Sequence, residues 1–344
     1  MESFMNILGQ QTAYHIGELS EVSSARRAGN ALSLKLGFDE IQSGRLALLI
    51  TEAGTNIGKH AKRGQIFMRS LSRNGLNGIE IIAVDSGPGM FNPTKSFEDG
   101  YSTTETYGVG LGAIKRLAHE VDIYSESGKG TVLLMVIWNT EAQVIPGQWQ
   151  IGSMCIPIAN ERVCGDSWIA VDCQRMLTVL VADGLGHGPD AAHASLLAVS
   201  VLEQAPANLP SETLQKSHQL MKGSRGAAVA VARVDLDTAE LRYTGVGNIS
   251  GCIYNHKSRQ HLLSHNGIVG SHMSRTKEFT HAWCEDSMLV MHSDGVGTKW
   301  DINNYAGLES CHPSVIAAVL HRDHTRVRDD STIVVIKRAQ IACQ

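Results

Sequence analysis

Apolar positions along this chain fall into two kinds of run, and their order sketches the fold. Residues 12 to 18 read as an edge strand. A helix follows, capped by Ser20 or Ser23 and running to about Leu36, with Ala25, Ala28, Leu32 and Leu34 near its apolar face and Gly37 at its end. Phe38-Asp39 opens a second helix whose expected core is Ile41, Leu46, Leu48, Leu49 and Ala53. Strand runs Gly64–Ser72 and Gly78–Val84 flank an Asn-Gly pair, which signals a hairpin. A helix beginning near Gly108 precedes strands Val121–Ser125 and Thr131–Trp138.

The second half has more strands. Gln148–Ile158, Glu161–Asp172 and the continuous apolar run Met176–Ala182 come first, then helices Ala191–Glu203 and Ser211–Met221. Strands Ala227–Asp235, Glu240–Gly245, Gly251–Tyr254 and Ser287–Ser293 follow. Helix Pro313–His321 and strand Thr332–Lys337 close the pattern. Paired strand runs with central helices predict an α+β fold, with sheets stacked under helices.

A length of 344 residues predicts two domains, each able to bury a core. Pro146-Gly147 marks a join, giving domains 1–140 and 148–344 with a short linker at 141–147. The net charge of −4 lacks the basic excess that a nucleic-acid or anionic-membrane partner requires. No apolar run of about 18 residues exists, and Met1-Glu2-Ser3 opens no signal peptide, so a cytoplasmic protein is expected. The seven cysteines include no C-x-x-C pair and read as reduced thiols rather than a zinc site or disulfides.

Chemistry concentrates where strands end in Asp and Gly. Asp183-Gly184 follows the buried run Met176–Ala182, and similar stations stand at Gly165-Asp166, Ser293-Asp294-Gly295 and Asp329-Asp330-Ser331-Thr332. One Asp-Gly is ordinarily a turn. Four carboxylates delivered to sheet ends suit a dinuclear site of hard cations, Mg²⁺ or Mn²⁺. In the first half Glu52 and Asn56 share a helical face, which a solvated surface pair would also do. Asp85-Ser-Gly87-Pro-Gly89 closes a strand. Gly108-Val-Gly110-Leu-Gly112 opens a helix, as a tight turn or as a phosphate-binding N-terminus.

The ordered set Glu52-x-x-x-Asn56, Asp85-x-Gly87-x-Gly89, Gly108-x-Gly110-x-Gly112 and Gly130-Thr131 resembles the GHKL ATPase and histidine kinase fold. The likeness is greatest to the small serine kinases of the RsbW/RsbT type, and it spans about residues 10 to 140. It implies a Bergerat-type ATP-binding α/β sandwich. Within it Glu52 would act as general base and Asn56 would hold Mg²⁺ against the phosphates. Asp85 would accept from the adenine amino group, supported by Thr131. Gly87, Gly89, Gly108, Gly110 and Gly112 would contact ATP, and Lys59 and His60 match the stretch after the Asn.

Cys164-Gly-Asp166-Ser, Ala182-Asp183-Gly184-Leu-Gly186-His187-Gly188, Ser293-Asp294-Gly295 and Asp329-Asp330-Ser331-Thr332 resemble the PPM-type protein serine/threonine phosphatases, in particular the SpoIIE/RsbU/RsbX branch. This likeness covers about residues 148 to 338 and implies a PPM-type α/β sandwich. Asp166, Asp183, Asp294, Asp329 and the Gly184 carbonyl would ligate two divalent ions, with Asp330 the competitor for the last place and Asp183 counted as catalytic. Asn248 would fix a loop. His187 would serve as a general acid or order the turn before its helix. Arg162 is nearest in sequence to the phosphate-binding Arg of eukaryotic relatives, without a secure match. No sensory or coiled-coil segment is expected ahead of either domain.

The two resemblances together imply a bifunctional partner-switching regulator: an ATP-dependent serine kinase-like half, and a Mg²⁺- or Mn²⁺-dependent phosphatase acting on phosphoserine or phosphothreonine of STAS-domain proteins in a stressosome or anti-sigma system. A homodimer is compatible with this. In a second reading the first half binds ATP without transferring phosphate and gates the phosphatase. A scaffold with decayed sites is the third, and the complete motif sets argue against it.

Overall fold

The computed structural model describes residues 5–7, 9–93, 110–141, 144, 147–173, 175–255, 258–274, 276–326 and 328–339. They form two compact units: Gln11–Ile145 with Tyr305–Arg322, and Met1–Gln10 with Pro146–Asn304 and Asp323–Gln344. The units interleave along the sequence. In particular, Tyr305–Arg322 joins the first unit although the phosphatase-like motifs lie on both sides of it.

In chain order the elements begin with β1 (Met5–Ile7), which pairs antiparallel with a strand of the second unit. The first unit then holds β2 (Thr12–Ile16), α1 (Leu19–Lys35), α2 (Glu40–Asn56), β3 (Gly64–Arg73), β4 (Leu76–Asp85), α3 (Gly110–Leu117), β5 (Glu120–Glu126) and β6 (Gly130–Trp138). Its sheet is antiparallel in the order β2-β3-β4-β6-β5. The β3–β4 hairpin turns on Asn74 and Gly75, both at positive φ (52° and 79°), as a tight primed turn demands.

Period-2 alternation divides that sheet. Ile66, Met68, Ile79, Ile81, Leu133, Met135 and Ile137 pack with Leu46, Leu49, Ile50 and Ala53 of α2. The alternate positions Phe67, Arg69, Glu80, Ile82, Leu134, Val136 and Trp138 are buried as well. Arg69 and Glu80 stand opposite each other in register and form a buried ion pair with Nε–Oε1 at 2.6 Å.

Several expectations for the helices are corrected. Leu34, Ile41 and Leu48 are 74%, 63% and 52% exposed, so they lie outside the core, while Val22 and Ile50 lie within it. The 3.6-residue period admits either stripe, and the sheet takes only one. The start of α1 is fixed by Glu21, which accepts the Gly17 and Glu18 N–H groups, rather than by a serine cap. Asp39 caps α2 as expected, accepting from the Gln42 N–H at 2.7 Å.

The second unit continues with β7 (Trp149–Ile156), β8 (Asp166–Cys173), β9 (Met176–Gly184), α4 (Pro189–Gln204), α5 (Pro210–Leu220), β10 (Ala227–Asp235), β11 (Glu240–Val246), β12 (Ser250–Asn255), β13 (Ser258–Leu262), β14 (Phe279–Ala282) and β15 (Met288–His292). Helix α6 (Pro313–His324), which up to Arg322 belongs to the first unit, and strand β16 (Ser331–Arg338) of the second follow. Sheets β1-β8-β9-β10-β11-β14 and β13-β12-β15-β16-β7 enclose a core containing Trp168, Val181, Ala230, Tyr243, Leu289 and Val334. On the outer face of the six-stranded sheet, Ala194, Ala198 and Leu202 of α4 and Leu214 of α5 meet Ile169, Leu180 and Val229. The expected stacking of sheets under helices is what the chain forms. Strands β13 and β14 escaped sequence reading, and Glu212 rather than Ser211 organises the start of α5 by accepting the Leu209 N–H.

Among the described residues six cysteines are free, and no helix is long and apolar enough to cross a membrane.

Removing one member of a buried ion pair strands the other. Arg69→Met is therefore expected to cost about 3 kcal/mol, read as a fall of roughly 5 °C or more in the first unit's thermal midpoint. The double variant Arg69→Met/Glu80→Leu should recover most of that loss, and equal midpoints for single variant and parent would contradict the assignment.

Candidate functional site

In the second unit, strand register brings the carboxylates together. Asp166 of β8 stands directly opposite Asp183 of β9. Asp294 follows β15, and Asp329 and Asp330 precede β16, the antiparallel partner of β15. A Cβ on Gly295 would lie 1.8 Å from the Asp330 carbonyl oxygen, so only glycine lets these two strand ends approach as they do. Ser293 ties the sheets' ends: its hydroxyl donates to Asp166 Oδ2 at 2.6 Å and accepts from the Thr332 N–H at 3.0 Å.

Like charges so placed oppose ionisation. Burial first, then the charges of Asp166, Asp294, Asp329 and Asp330, push the Asp183 carboxyl up to about 9. Burial drives the Asp166 carboxyl well above the usual carboxylate range, and burial with Asp294 raises Asp329. Among the described residues no arginine forms an ion pair with any of these aspartates, whereas Asn248 donates to Asp294 Oδ2. Hard divalent cations fit this all-oxygen donor set and would relieve its repulsion. No group of three side chains among the described residues already stands in ligating geometry.

The Asp329–Asp330 alternative is narrowed by hydrogen bonding. Asp330 is buried and spends both oxygens on backbone, accepting Ile158 N–H at 2.7 Å and Gly165 N–H at 2.9 Å. Asp329 is the less buried of the two. Gly184 ends β9 and donates to the Gly165 carbonyl at 3.3 Å. His187 Nδ1 meets Glu161 Oε1 at 3.0 Å, which holds the ring at the turn before α4. Arg162 is exposed, and its carbonyl accepts from Gln10 at 2.8 Å. Ser293, Thr332 and Glu161 were not singled out from sequence. The Ser-Asp-Gly and Asp-Asp-Ser-Thr spacings were the only available hint.

In the first unit, Glu52 and Asn56 converge on the start of α3: a Cβ on Gly110 would lie 3.4 Å from Glu52 Oε2 and 3.5 Å from Asn56 Oδ1. The first N–H groups of that helix, which have no partner within the helix itself, thus lie near an acid and an amide, a setting suited to a metal-bound phosphate. Asp85 ends β4 and accepts N–H groups from Gly87, at 2.8 Å, and Thr131. Burial nevertheless raises its carboxyl. Gly130, at φ +88°, passes so close to Asp85 that a Cβ would sit 2.1 Å from the Asp85 carbonyl oxygen. Ser125 braces the pocket, bonding Thr131 Oγ1 at 2.9 Å and accepting the Met90 N–H at 2.8 Å. Gly89 packs on the Glu126 carbonyl and Gly112 is buried in α3. Lys59 is exposed on a single π-helical turn, Ile57–Ala61, and makes no ion pair among the described residues. His60, on that turn, acts electrostatically on Asp85. Gly108 lies outside the described residues.

These two constellations belong to a two-domain chain in which a histidine kinase-like ATPase fold accompanies a PP2C-like phosphatase fold. The family described as histidine kinase-like ATPase domain matches residues 17–137, and the family described as stage II sporulation protein E (SpoIIE) matches residues 174–339. Serine/threonine-protein kinase RsbT of Bacillus subtilis (strain 168) is 34% identical over 131 residues, 38% of this chain and 98% of RsbT. Phosphoserine phosphatase RsbX of the same organism is 24% identical over 147 residues, 42% of this chain and 73% of RsbX. The chain belongs to the RsbT-like histidine kinase-like ATPases in its N-terminal domain and carries a C-terminal SpoIIE-type phosphatase domain.

At the level of fold alone, a structure of RsbX in complex with magnesium superposes with a TM-score of 0.50 at 20% identity, covering 57% of this chain and 98% of that one. A structure described with the bacterial stressosome, as a modular system adapted to control secondary-messenger signalling, gives 0.52 at 24%, covering 56% and 100%.

The raised Asp183 carboxyl sets a pH dependence. The folded chain without metal holds a proton that the unfolded chain, with its ordinary value near 3.9, has lost, so stability falls as pH rises from about 4 toward about 9. In EDTA the thermal midpoint should drop between pH 6 and pH 8, and Mn²⁺ should restore it. Asp183→Asn should lift the midpoint at pH 8 in EDTA and blunt the Mn²⁺ gain; a pH-independent midpoint would contradict the carboxylate cluster.

Proposed function

We propose that this chain is a bifunctional partner-switching regulator. It joins an ATP-dependent serine kinase-like domain, residues 1–140, to a Mg²⁺- or Mn²⁺-dependent phosphatase domain, residues 148–344, acting on phosphoserine or phosphothreonine of a STAS-domain protein. The observation that carries the phosphatase reading is the convergence of Asp166 and Asp183, opposite each other in register, with Asp294 and Asp329 at the ends of the β15–β16 ladder, an all-oxygen set whose mutual repulsion divalent cations would relieve. The RsbT and RsbX relatives, and the stressosome setting of one fold relative, support the kinase pairing and the class of partner. The setting is cytoplasmic.

Asp166, Asp183, Asp294, Asp329 and the Gly184 carbonyl would hold two ions, whose chemistry is to polarise a phosphoryl oxygen and neutralise its charge. The chain does the positioning. Ser293, itself held by the Thr332 N–H, orients Asp166, and Asn248 orients Asp294. Asp330 stays on the Ile158–Gly165 loop and keeps it closed.

In the other unit Asp85 would accept from the adenine amino group, and Asn56 would hold the Mg²⁺ of MgATP. Glu52 Oε2 would take the proton of the attacking serine hydroxyl. Gly110 lies close to Glu52 and Asn56, where the α3 N–H groups would meet the phosphates.

A ³²P-labelled STAS-domain phosphoprotein incubated with Mn²⁺ should release phosphate. Asp183→Asn should slow release at least about 100-fold, a loss matching removal of a several kcal/mol contribution. With [γ-³²P]ATP and the dephosphorylated partner, Glu52→Ala should bind ATP yet transfer about 100-fold less phosphate, while Asn56→Ala should lose both. Phosphate release equal to that of the Asp183 variant would sink the phosphatase reading. Transfer indifferent to Glu52 would sink the kinase reading.

A further inference from the structure

The turn ahead of β10, residues 222–226, has no part in the site described above, yet the ladder carries it past Asp183. Ala228 stands opposite Asp183 and Ala227 opposite Gly184, so the residues before Ala227 run alongside the loop that follows β9. The Leu185 N–H donates to the Gly226 carbonyl at 3.0 Å, which extends the pairing one step beyond the strand end. All of these residues belong to the second unit.

The turn is pinned from several sides. The Ser224 hydroxyl donates to the Met221 carbonyl at 2.7 Å and accepts the Gly226 N–H at 3.1 Å. Gly226 adopts φ +82°, and a Cβ there would lie 2.6 Å from the Ile268 side chain and 2.9 Å from the Val269 carbonyl oxygen. Arg225 therefore projects from a backbone fixed on both sides, and its guanidinium is delivered from a rigid base.

That guanidinium lies against the loop after Asp183. A Cβ on Gly186, at φ +89°, would stand 3.1 Å from Arg225 Nη1. The Gly186 carbonyl oxygen in turn lies 3.4 Å from where a Cβ on Gly165 would be, the residue before Asp166. One glycine is thus within close reach of both the arginine and the start of the Asp166 strand. Arg225 Nη2 donates to Asp190 Oδ2 at 2.8 Å, but the two side chains are 48% and 72% exposed. A surface pair of this kind adds little stability. It also engages one of the five donors of a planar fork and leaves the others open to a second anion.

The proposed metal centre has a use for them. The charges of Asp166, Asp183, Asp294 and Asp329 cancel those of two divalent ions. A phosphate monoester then arrives with a charge of about −2 and three acceptor oxygens, and nothing in that sum offsets it. Arg225 is the cation that the contacts place against the Asp183 loop.

We propose that Arg225 binds the phosphate of the phosphoserine or phosphothreonine substrate, through the donors that Asp190 leaves open, and so sets KM. This rests on the phosphatase reading given above and adds a substrate-binding residue to it. A guanidinium suits the task because its fork matches two phosphate oxygens at once.

The test uses the full chain at saturating Mn²⁺, with para-nitrophenyl phosphate for turnover and inorganic phosphate, the product, for calorimetric binding. Arg225→Ala should raise KM and weaken inorganic phosphate by about 10-fold or more, the loss of a charge-assisted contact, while kcat changes far less. Arg225→Lys should recover part of both. Mn²⁺ affinity and the thermal midpoint should stay at the parent's values, and Asp190→Asn, which removes a competing carboxylate, should bind phosphate as tightly as the parent or more so. A KM and a phosphate affinity indifferent to Arg225→Ala, in a chain that hydrolyses the substrate, overturn the proposal alone. An equal loss in Asp190→Asn, or a phosphate loss that tracks a loss of Mn²⁺ affinity, also overturns it, since either makes the arginine a brace of the loop. A parent chain that takes up no Mn²⁺ or hydrolyses no para-nitrophenyl phosphate overturns the phosphatase reading and the proposal with it.

Discussion

Repulsion among carboxylates is the constraint on which the second unit is built. Asp166 and Asp183 stand opposite each other on neighbouring strands, a like-charge pairing that costs stability in any sheet. Asp294 and Asp329 are brought to the same end by the β15–β16 ladder, and the glycine at 295 permits the approach. The core cluster of the sandwich, with Trp168, Val181 and Leu289, includes none of these carboxylates. The fold holds the charges together at a cost, and on the proposed reading a pair of hard cations would be the ligand that turns the cost into binding.

The hydrogen bonds around that cluster divide the aspartates by task. Asp330 is held by backbone donors and Asp166 by the Ser293 hydroxyl, while Asp183, Asp294 and Asp329 act mainly on one another. In the first unit the division is similar. Asp85 is held by two backbone N–H groups, and Glu52 and Asn56 are left facing the start of α3. Each site therefore couples a rigid, backbone-satisfied carboxylate to others available for ligands, which is how a site is kept ready before its ligand arrives.

Much of this was legible in the residues. The buried strand ending on Asp183, the Asn-Gly hairpin, the Asp39 cap and the Glu52–Asn56 face each follow from local chemistry, and each stands where that chemistry put it. Helix faces were harder. Leu34, Ile41 and Leu48 sit at helical spacing but on the outward stripe, because amphipathicity read from sequence does not say which of two overlapping stripes a sheet will cover. The polar strand β13, with the burial pattern of an edge, carries little alternation to read. Least visible was the interleaving of the units. Motif order implies two consecutive blocks, whereas Tyr305–Arg322 completes the first block's sheet across a long sequence separation. The only hint was that β4 and β6 are apolar on both faces, Gly-Ile-Glu-Ile-Ile-Ala-Val and Val-Leu-Leu-Met-Val-Ile-Trp.

Anomalous diffraction at the manganese edge from crystals of the full chain grown with Mn²⁺ tests the central claim most directly. The carboxylate cluster calls for two peaks roughly 3.5–4 Å apart, with oxygens of Asp183, Asp294 and Asp329 in their first shells and Asp330 still on the Ile158 and Gly165 amides. Crystals soaked to saturation that show no manganese between these aspartates, or show it bound elsewhere while Asp183 remains unligated, would contradict the account.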